Sequence, residues 1–220
     1  MEFSVQIANL GKYTAGILSD AKLSFPTTTQ QVQEALRAIG VDGLRYAEII
    51  ICDYSISIPG LASRLEEYSS IDELNYLASR LQDLSTEERS KFAAAVEHGE
   101  YGGNLQDLIN LTYNLDCYEL LPSIQSYEDY GTYLIDHRRE FYLPQKARFY
   151  FDYSQYGEDT LINEGGVLTP QGYIRSKREV PFIQIYDGVH FPAEYKVFQY
   201  PLQEKVRCSH PVQKPHMPTR

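Results

Sequence analysis

At 220 residues, 43% hydrophobic and 23% charged, with a formal net charge of −10, the chain has the composition of a globular protein and not of a disordered one. No apolar run approaches the ~18 residues needed to cross a bilayer, so no membrane span is expected. The acidic balance disfavours direct binding to nucleic acid, whose phosphates attract Lys and Arg.

Phe3 to Leu10 alternates apolar and polar residues, the pattern of a half-buried strand, and Gly11 to Gly16 reads as a hairpin loop returning through a strand over 17–25. Thr28 with Gln31 forms a capping box, Val32, Leu36 and Ile39 follow a helical period, and Gly40 stands where a C-terminal cap belongs. The Ile-rich run from Tyr46 to Tyr54 predicts a buried strand, which completes a ββαβ unit over residues 1–60. Ser70 to Glu73 and Ser85 to Glu88 each read as a capping box, and Asn104 starts a third short helix through Leu105, Leu108 and Ile109. Helices this short must pack on one another to persist.

Further on, Ser126 caps a helix over 127–136. Pro144 opens another, running to Tyr156 with Gly157 closing it. Val167 to Ile174 is a hairpin turning at Pro170-Gln171-Gly172, and Pro181 to Tyr186 is a strand candidate. The last residues, 201–220, lack apolar periodicity and predict a disordered tail. Met1-Glu2-Phe3-Ser4 has neither a basic nor an apolar leader region. Cys52, Cys117 and Cys208 are widely spaced and without a CxxC, as expected of reduced thiols in the cytoplasm.

The chain's acidity is local. Residues 47–136 hold seventeen Asp and Glu against Arg64, Arg80, Arg89 and Lys91, a net of −13, while the remainder sums to +3. The candidate partner-binding carboxylates are Glu66, Glu67, Asp72, Glu73, Asp83, Glu87, Glu88, Glu97, Glu100, Asp107, Asp116, Glu119, Glu128, Asp129 and Asp136. Carboxylates three or four apart on a helix lie about 5–6 Å from one another, whereas B-DNA carries one charge per ~1.7 Å of axis. Several helical rows are therefore needed to imitate a duplex. The plainer reading is a set of solvated helix faces, with Asp72, Glu73, Glu87 and Glu88 favoured in first turns by the helix dipole.

Two Tyr-x-x-Tyr-x-x-Tyr rows, Tyr127, Tyr130, Tyr133 and Tyr150, Tyr153, Tyr156, are read either as core packing or as a dimer or partner interface. Enzymatic motifs are missing: no P-loop, GxSxG, HExxH or paired CxxC occurs, and the five histidines are scattered. No catalytic residue, metal or cofactor is expected.

Three segments carry a family resemblance. Ile7-Ala8-Asn9-Leu10-Gly11-Lys12-Tyr13 with Gly16 and Phe25-Pro26 resembles the N-terminal signature of the ArdA antirestriction proteins. Residues 67–75 (EYSSIDELN) are similar to that family's entry into its helical middle domain, and Pro144 with residues 150–159 (YFDYSQYGED) to its C-terminal helix signature. The resemblance covers residues 3–175; Asp20 and Lys22 depart from it. It implies an elongated, dimeric DNA mimic, carried by a mobile element or phage, that blocks type I restriction–modification enzymes.

The sequence thus predicts an α+β protein in three parts: a small α+β domain over 1–60, an acidic helical domain over 61–115 and an α+β domain over 116–200, followed by the tail over 201–220. The expected activity is non-enzymatic inhibition, with a DNA-binding defence enzyme as partner. That partner is a type I restriction–modification enzyme or, alternatively, an RNA-guided CRISPR nuclease. A protein-binding adaptor that is not a mimic is the remaining alternative.

Overall fold

The structure, a computed structural model, describes residues 1–190 and 192–202. The expected tail over 201–220, with Cys208, lies almost wholly outside the described residues.

The first strand, β1 (Phe3–Asn9), is central in a three-stranded antiparallel sheet ordered β2-β1-β3. A short helix α1 (Leu10–Thr14) occupies the expected hairpin loop. Asn9 starts it by accepting from the Lys12 backbone N–H at 3.1 Å. The return strand β2 (Asp20–Ser24) is shorter than expected, because Ile17 and Leu18 stand exposed ahead of it. Helix α2 (Thr29–Ile39) has the full Thr28–Gln31 capping box, and Gly40 closes it at φ +77°. Its Val32, Leu36 and Ile39 pack with Phe3, Val5 and Ile7 in one core. Strand β3 (Ile49–Ile56) pairs with β1. It is buried only at its start: Ile50 and Ile51 are covered, whereas Cys52 and Asp53 face solvent.

The helical stretch follows as α3 (Ile71–Asp83), α4 (Thr86–His98) and α5 (Leu105–Leu111). Asn104 caps α5, and the box at Ser85–Glu88 is complete. At Ser70 only half of the expected box forms. The Ser70 hydroxyl accepts from Glu73 N, but the Glu73 carboxylate is drawn away to the Tyr186 hydroxyl at 2.7 Å. Leu74, Leu77, Phe92, Val96, Leu108 and Ile109 join the same apolar cluster as the first sheet.

A strand not evident from the sequence, β4 (Tyr118–Leu121), comes next. Ser126 then caps α6 (Tyr127–Tyr133), which passes into a π-turn over Leu134–Arg138 that ends at Arg139 in the left-handed region. The single helix expected from Pro144 to Tyr156 is two. Helix α7 (Gln145–Arg148) stops after one turn, and α8 (Tyr153–Glu164) starts afresh where Asp152 accepts from Gln155 N. Gly157 does not close it. It lies inside α8 against α6, and Gly165 supplies the C-cap at φ +70°.

The predicted hairpin is present as β5 (Val167–Thr169) and β6 (Gly172–Ser176), with β4 on the far side of β6, in the order β4-β6-β5. Ile124, Tyr130, Leu134, Leu161 and Tyr173 form a second apolar cluster beneath α6 and α8. The strand expected over 181–186 does not join a sheet. Those residues run extended across α5, held by side chains of Asn110 and Asn114.

Candidate functional site

The charges of residues 47–136 sort by direction. All four cations turn inward and are half-buried. Arg64 Nη2 donates to the Val96 carbonyl at 3.3 Å, which helps terminate α4. Arg89 Nε donates to the Leu84 carbonyl at 2.9 Å. The Arg80 guanidinium lies 4.0 Å over the ring of Tyr113, with Asp83 3.7 Å away. Burial pushes the Lys91 amine below its ordinary range, and nearby Lys177 pushes the same way.

Twelve of the seventeen acids in the same stretch are exposed. Ten of the candidate carboxylates are among them: Glu66, Glu67, Asp83, Glu87, Glu88, Glu100, Asp116, Glu128, Asp129 and Asp136. The fully exposed charges of this stretch are therefore all negative, since none of its four cations is among them. Acids also gather across elements. Apart from partial burial, Asp20 of β2 and Glu67 are what raise the thiol of Cys52 on β3.

The five other candidates, Asp72, Glu73, Glu97, Asp107 and Glu119, are half-buried. Three of them are held by other parts of the chain. Asp72 Oδ1 accepts the Val197 and Phe198 amides at 2.6 and 2.7 Å, Glu73 takes the Tyr186 hydroxyl, and Glu119 pairs with Arg175 at 2.7 Å. Four exposed candidates are also engaged: Asp136 pairs with Arg148 at 2.5 Å, Asp83 with Arg80 at 3.7 Å, Glu88 closes its capping box, and Asp129 accepts from Gln125 N at 3.1 Å. Hydrogen bonds hold two carboxyls below the ordinary carboxylate range. Those at Glu88 come first from Ser85, and those at Asp129 come from Ser126 and then Gln125. Glu66, Glu67, Glu87, Glu100, Asp116 and Glu128 make no ion pair among the described residues.

The tyrosine rows divide in the same way. Tyr127 is exposed, and Tyr150 is 85% exposed in the turn ahead of α8, so it shares no helix face with Tyr153 and Tyr156. Tyr130 is fully buried and stacks on Tyr173 at 4.2 Å in the second apolar cluster. Its hydroxyl donates to Glu164, as does that of Tyr173 at 2.9 Å, and Arg138 binds the other Glu164 oxygen at 2.8 Å. Arg138 continues to Glu140 at 3.5 Å, and Glu140 accepts from Tyr156. Burial favours the neutral form of Glu164, but the bonds from Tyr130, Arg138 and Tyr173 outweigh it and leave the carboxyl below its ordinary range. Burial, then Glu164, pushes the Tyr130 hydroxyl up to about 12. This network pins α8 to the π-turn, and nothing in the sequence spacing marked it.

The signature residues prove to be structural. Asn9 Nδ2 donates to the carbonyls of Ile39 and Gly40, and Lys12 Nζ donates to Ile39 at 2.8 Å, so the first signature caps the C-terminus of α2. Asn75, in the second, accepts from Thr27 N and donates to the Tyr195 carbonyl. Asp152 and Gly157, in the third, start α8 and seat it on α6. Residues 5–175 match the family described as Antirestriction protein (ArdA). The chain belongs to the ArdA antirestriction family. No curated protein matches it. The family match ends at Arg175, one residue before β6 ends. Among the described residues no helix is long and apolar enough to cross a membrane, and no group of three or more His, Cys, Asp or Glu side chains converges as metal ligands would.

Proposed function

We propose that this ArdA-family chain is a non-catalytic inhibitor that occupies the DNA-binding groove of a type I restriction–modification enzyme, its exposed carboxylates standing in for backbone phosphates. The observation that carries this reading is the sorting of charge: acids outward, cations turned onto backbone carbonyls and a ring. A groove built for DNA holds Lys and Arg with condensed anions, and a polyanionic protein gains by releasing them. Glu66, Glu67, Asp83, Glu87, Glu88, Glu100, Asp116, Glu128 and Asp129 are the residues assigned to that contact.

The test is competition. With a type I enzyme and a labelled duplex, the chain is expected to displace DNA competitively, with an apparent affinity that falls steeply as salt rises. A ternary complex with both ligands in the groove would sink the proposal. Displacement of DNA from an RNA-guided nuclease, but not from the type I enzyme, keeps the mimicry and changes the target. A second reading, contact through aromatic surface with a protein partner or a second copy, is favoured by Tyr142, Phe149 and Tyr150, which are 86%, 88% and 85% exposed.

A further inference from the structure

Beyond Arg175, where the family match ends, the chain crosses back over the helical layer to the first sheet. It is held there in an unusual way. Among the described residues, every backbone–backbone hydrogen bond made by 181–190 and 192–200 is internal to that segment. Side chains of the body grip its backbone instead. Asn114 accepts from Ile183 N at 2.8 Å and donates to Ile183 O at 2.9 Å. Asn110 accepts from the amides of Ile185 and Tyr186 and donates to Tyr186 O, all at 2.8 Å. Asn75 donates to Tyr195 O, and Asp72 takes the amides of Val197 and Phe198.

Apolar contact runs through separate anchors, the last of them Val197, which is buried, and Phe198. Phe182 stacks on Tyr101 at 3.9 Å between centroids and Tyr195 on Tyr76 at 4.3 Å, while Tyr186 is buried with its hydroxyl on Glu73. Between the anchors the side chains face water: Ile183 is 60%, Ile185 54% and Val189 69% exposed. Segments of a folded core normally exchange backbone bonds with their neighbours and bury their Ile and Val. Side-chain amides that bind both N–H and C=O, together with aromatic anchors, are how a protein surface holds a separate extended polypeptide.

We propose that the face of α3 and α5 is a binding groove for extended polypeptide, and that residues 181–190 and 192–198 are its ligand in cis. Its ligand class is an extended segment with aromatic residues four apart, as Phe182 and Tyr186 are. The groove is distinct from the exposed acids assigned to DNA mimicry and does not depend on that reading. Its occupancy does, however, withdraw Asp72 and Glu73 from solvent.

Amide hydrogen exchange on the full chain tests this first. The amides of Ile183, Ile185, Tyr186, Val197 and Phe198 are expected to exchange together, about 100-fold faster than those of Val5 and Ile7 in β1, through a local opening. Exchange of the five at the β1 rate would make the segment part of the cooperative core and overturn the proposal. The second test is binding in trans. A fluorescent peptide spanning 181–200 is expected to bind saturably to the full chain carrying Phe182→Ala and Tyr186→Ala. The wild-type chain should bind it at least ~10-fold more weakly, since its own segment competes at an effective concentration of about millimolar. A peptide with the same two substitutions should not bind. Failure of the loosened chain to bind the wild-type peptide while β1 stays protected, or equal binding of both peptides, overturns the proposal.

Discussion

Gly131 and Gly157 meet where α6 crosses α8: a Cβ added at Gly157 would stand 2.7 Å from Gly131 N and 2.0 Å from the Tyr127 carbonyl. The reciprocal Cβ at Gly131 would meet the Tyr153 carbonyl at 2.0 Å. Both obstacles are backbone, so neither can be relieved by a rotamer change. Gly157→Ala is therefore expected to force the helices apart and cost about 3 kcal/mol. In a thermal melt that is a fall of about 6 °C or more for a chain of this size. An unchanged melting temperature would mean that the two helices do not cross at these glycines.

That crossing also shows where the sequence was silent. Gly157 reads as a helix stop when only its neighbours in the chain are known, because a glycine after a helical run usually is one. Its true reason, close approach of a second helix, is a long-range fact. The local devices were legible: the boxes at Thr28 and Ser85, the caps at Asn104 and Ser126, and the hairpin at 170–172 all form. What failed was whatever a distant partner decides, such as Glu73 leaving its box for Tyr186, or 181–186 being gripped by asparagines in place of a sheet. For the candidate surface, the charge count was visible but not its direction. Only the fold shows that Arg64, Arg80 and Arg89 point inward.

Glu164 makes stability depend on acid. Its folded-state pKa lies below the ordinary glutamate range, so the stabilisation it brings is complete above that range and is lost as pH falls through the lower, folded value. Glu164→Gln is expected to cost about 2 kcal/mol at neutral pH, the worth of charged hydrogen bonds. Urea midpoints of the variant and the parent should converge as pH falls below the ordinary glutamate range, where the parent's carboxyl takes up its proton. A gap that stays constant with pH would assign the loss to packing instead.

Asn110 satisfies four backbone groups at once: Ile185 N, Tyr186 N, Tyr186 O and Gln106 O. Asn110→Leu keeps the volume but leaves buried partners unpaired, at about 1–3 kcal/mol for each group that water cannot reach. Asn110→Asp keeps the acceptor and loses the donors, so its urea midpoint is expected to fall between those of the leucine variant and the parent. Equal loss in both variants would show that the donor bonds dominate.

The outward acids permit the sharpest test, because charge can be removed there without touching the fold. Asp83→Asn with Glu87→Gln and Glu88→Gln replaces three exposed carboxylates around the turn from α3 to α4. Glutamine serves at position 88 as glutamate does, since either can close the capping box with Ser85. Loss of the helix-dipole and capping contributions of these charges, offset in part by relief of like-charge repulsion, should lower stability by no more than about 1 kcal/mol. If these side chains imitate phosphates, the triple variant should lose about tenfold in affinity for the restriction enzyme at low salt. It should also show a shallower salt dependence, so that it approaches the parent as salt rises. Asp72→Asn is the matched control. Its carboxylate is held by the Val197 and Phe198 amides, so its removal should lower stability without changing the salt slope. An unchanged slope in the triple variant, with the fold intact, would move the contact away from this turn and toward the exposed aromatics at Tyr142, Phe149 and Tyr150.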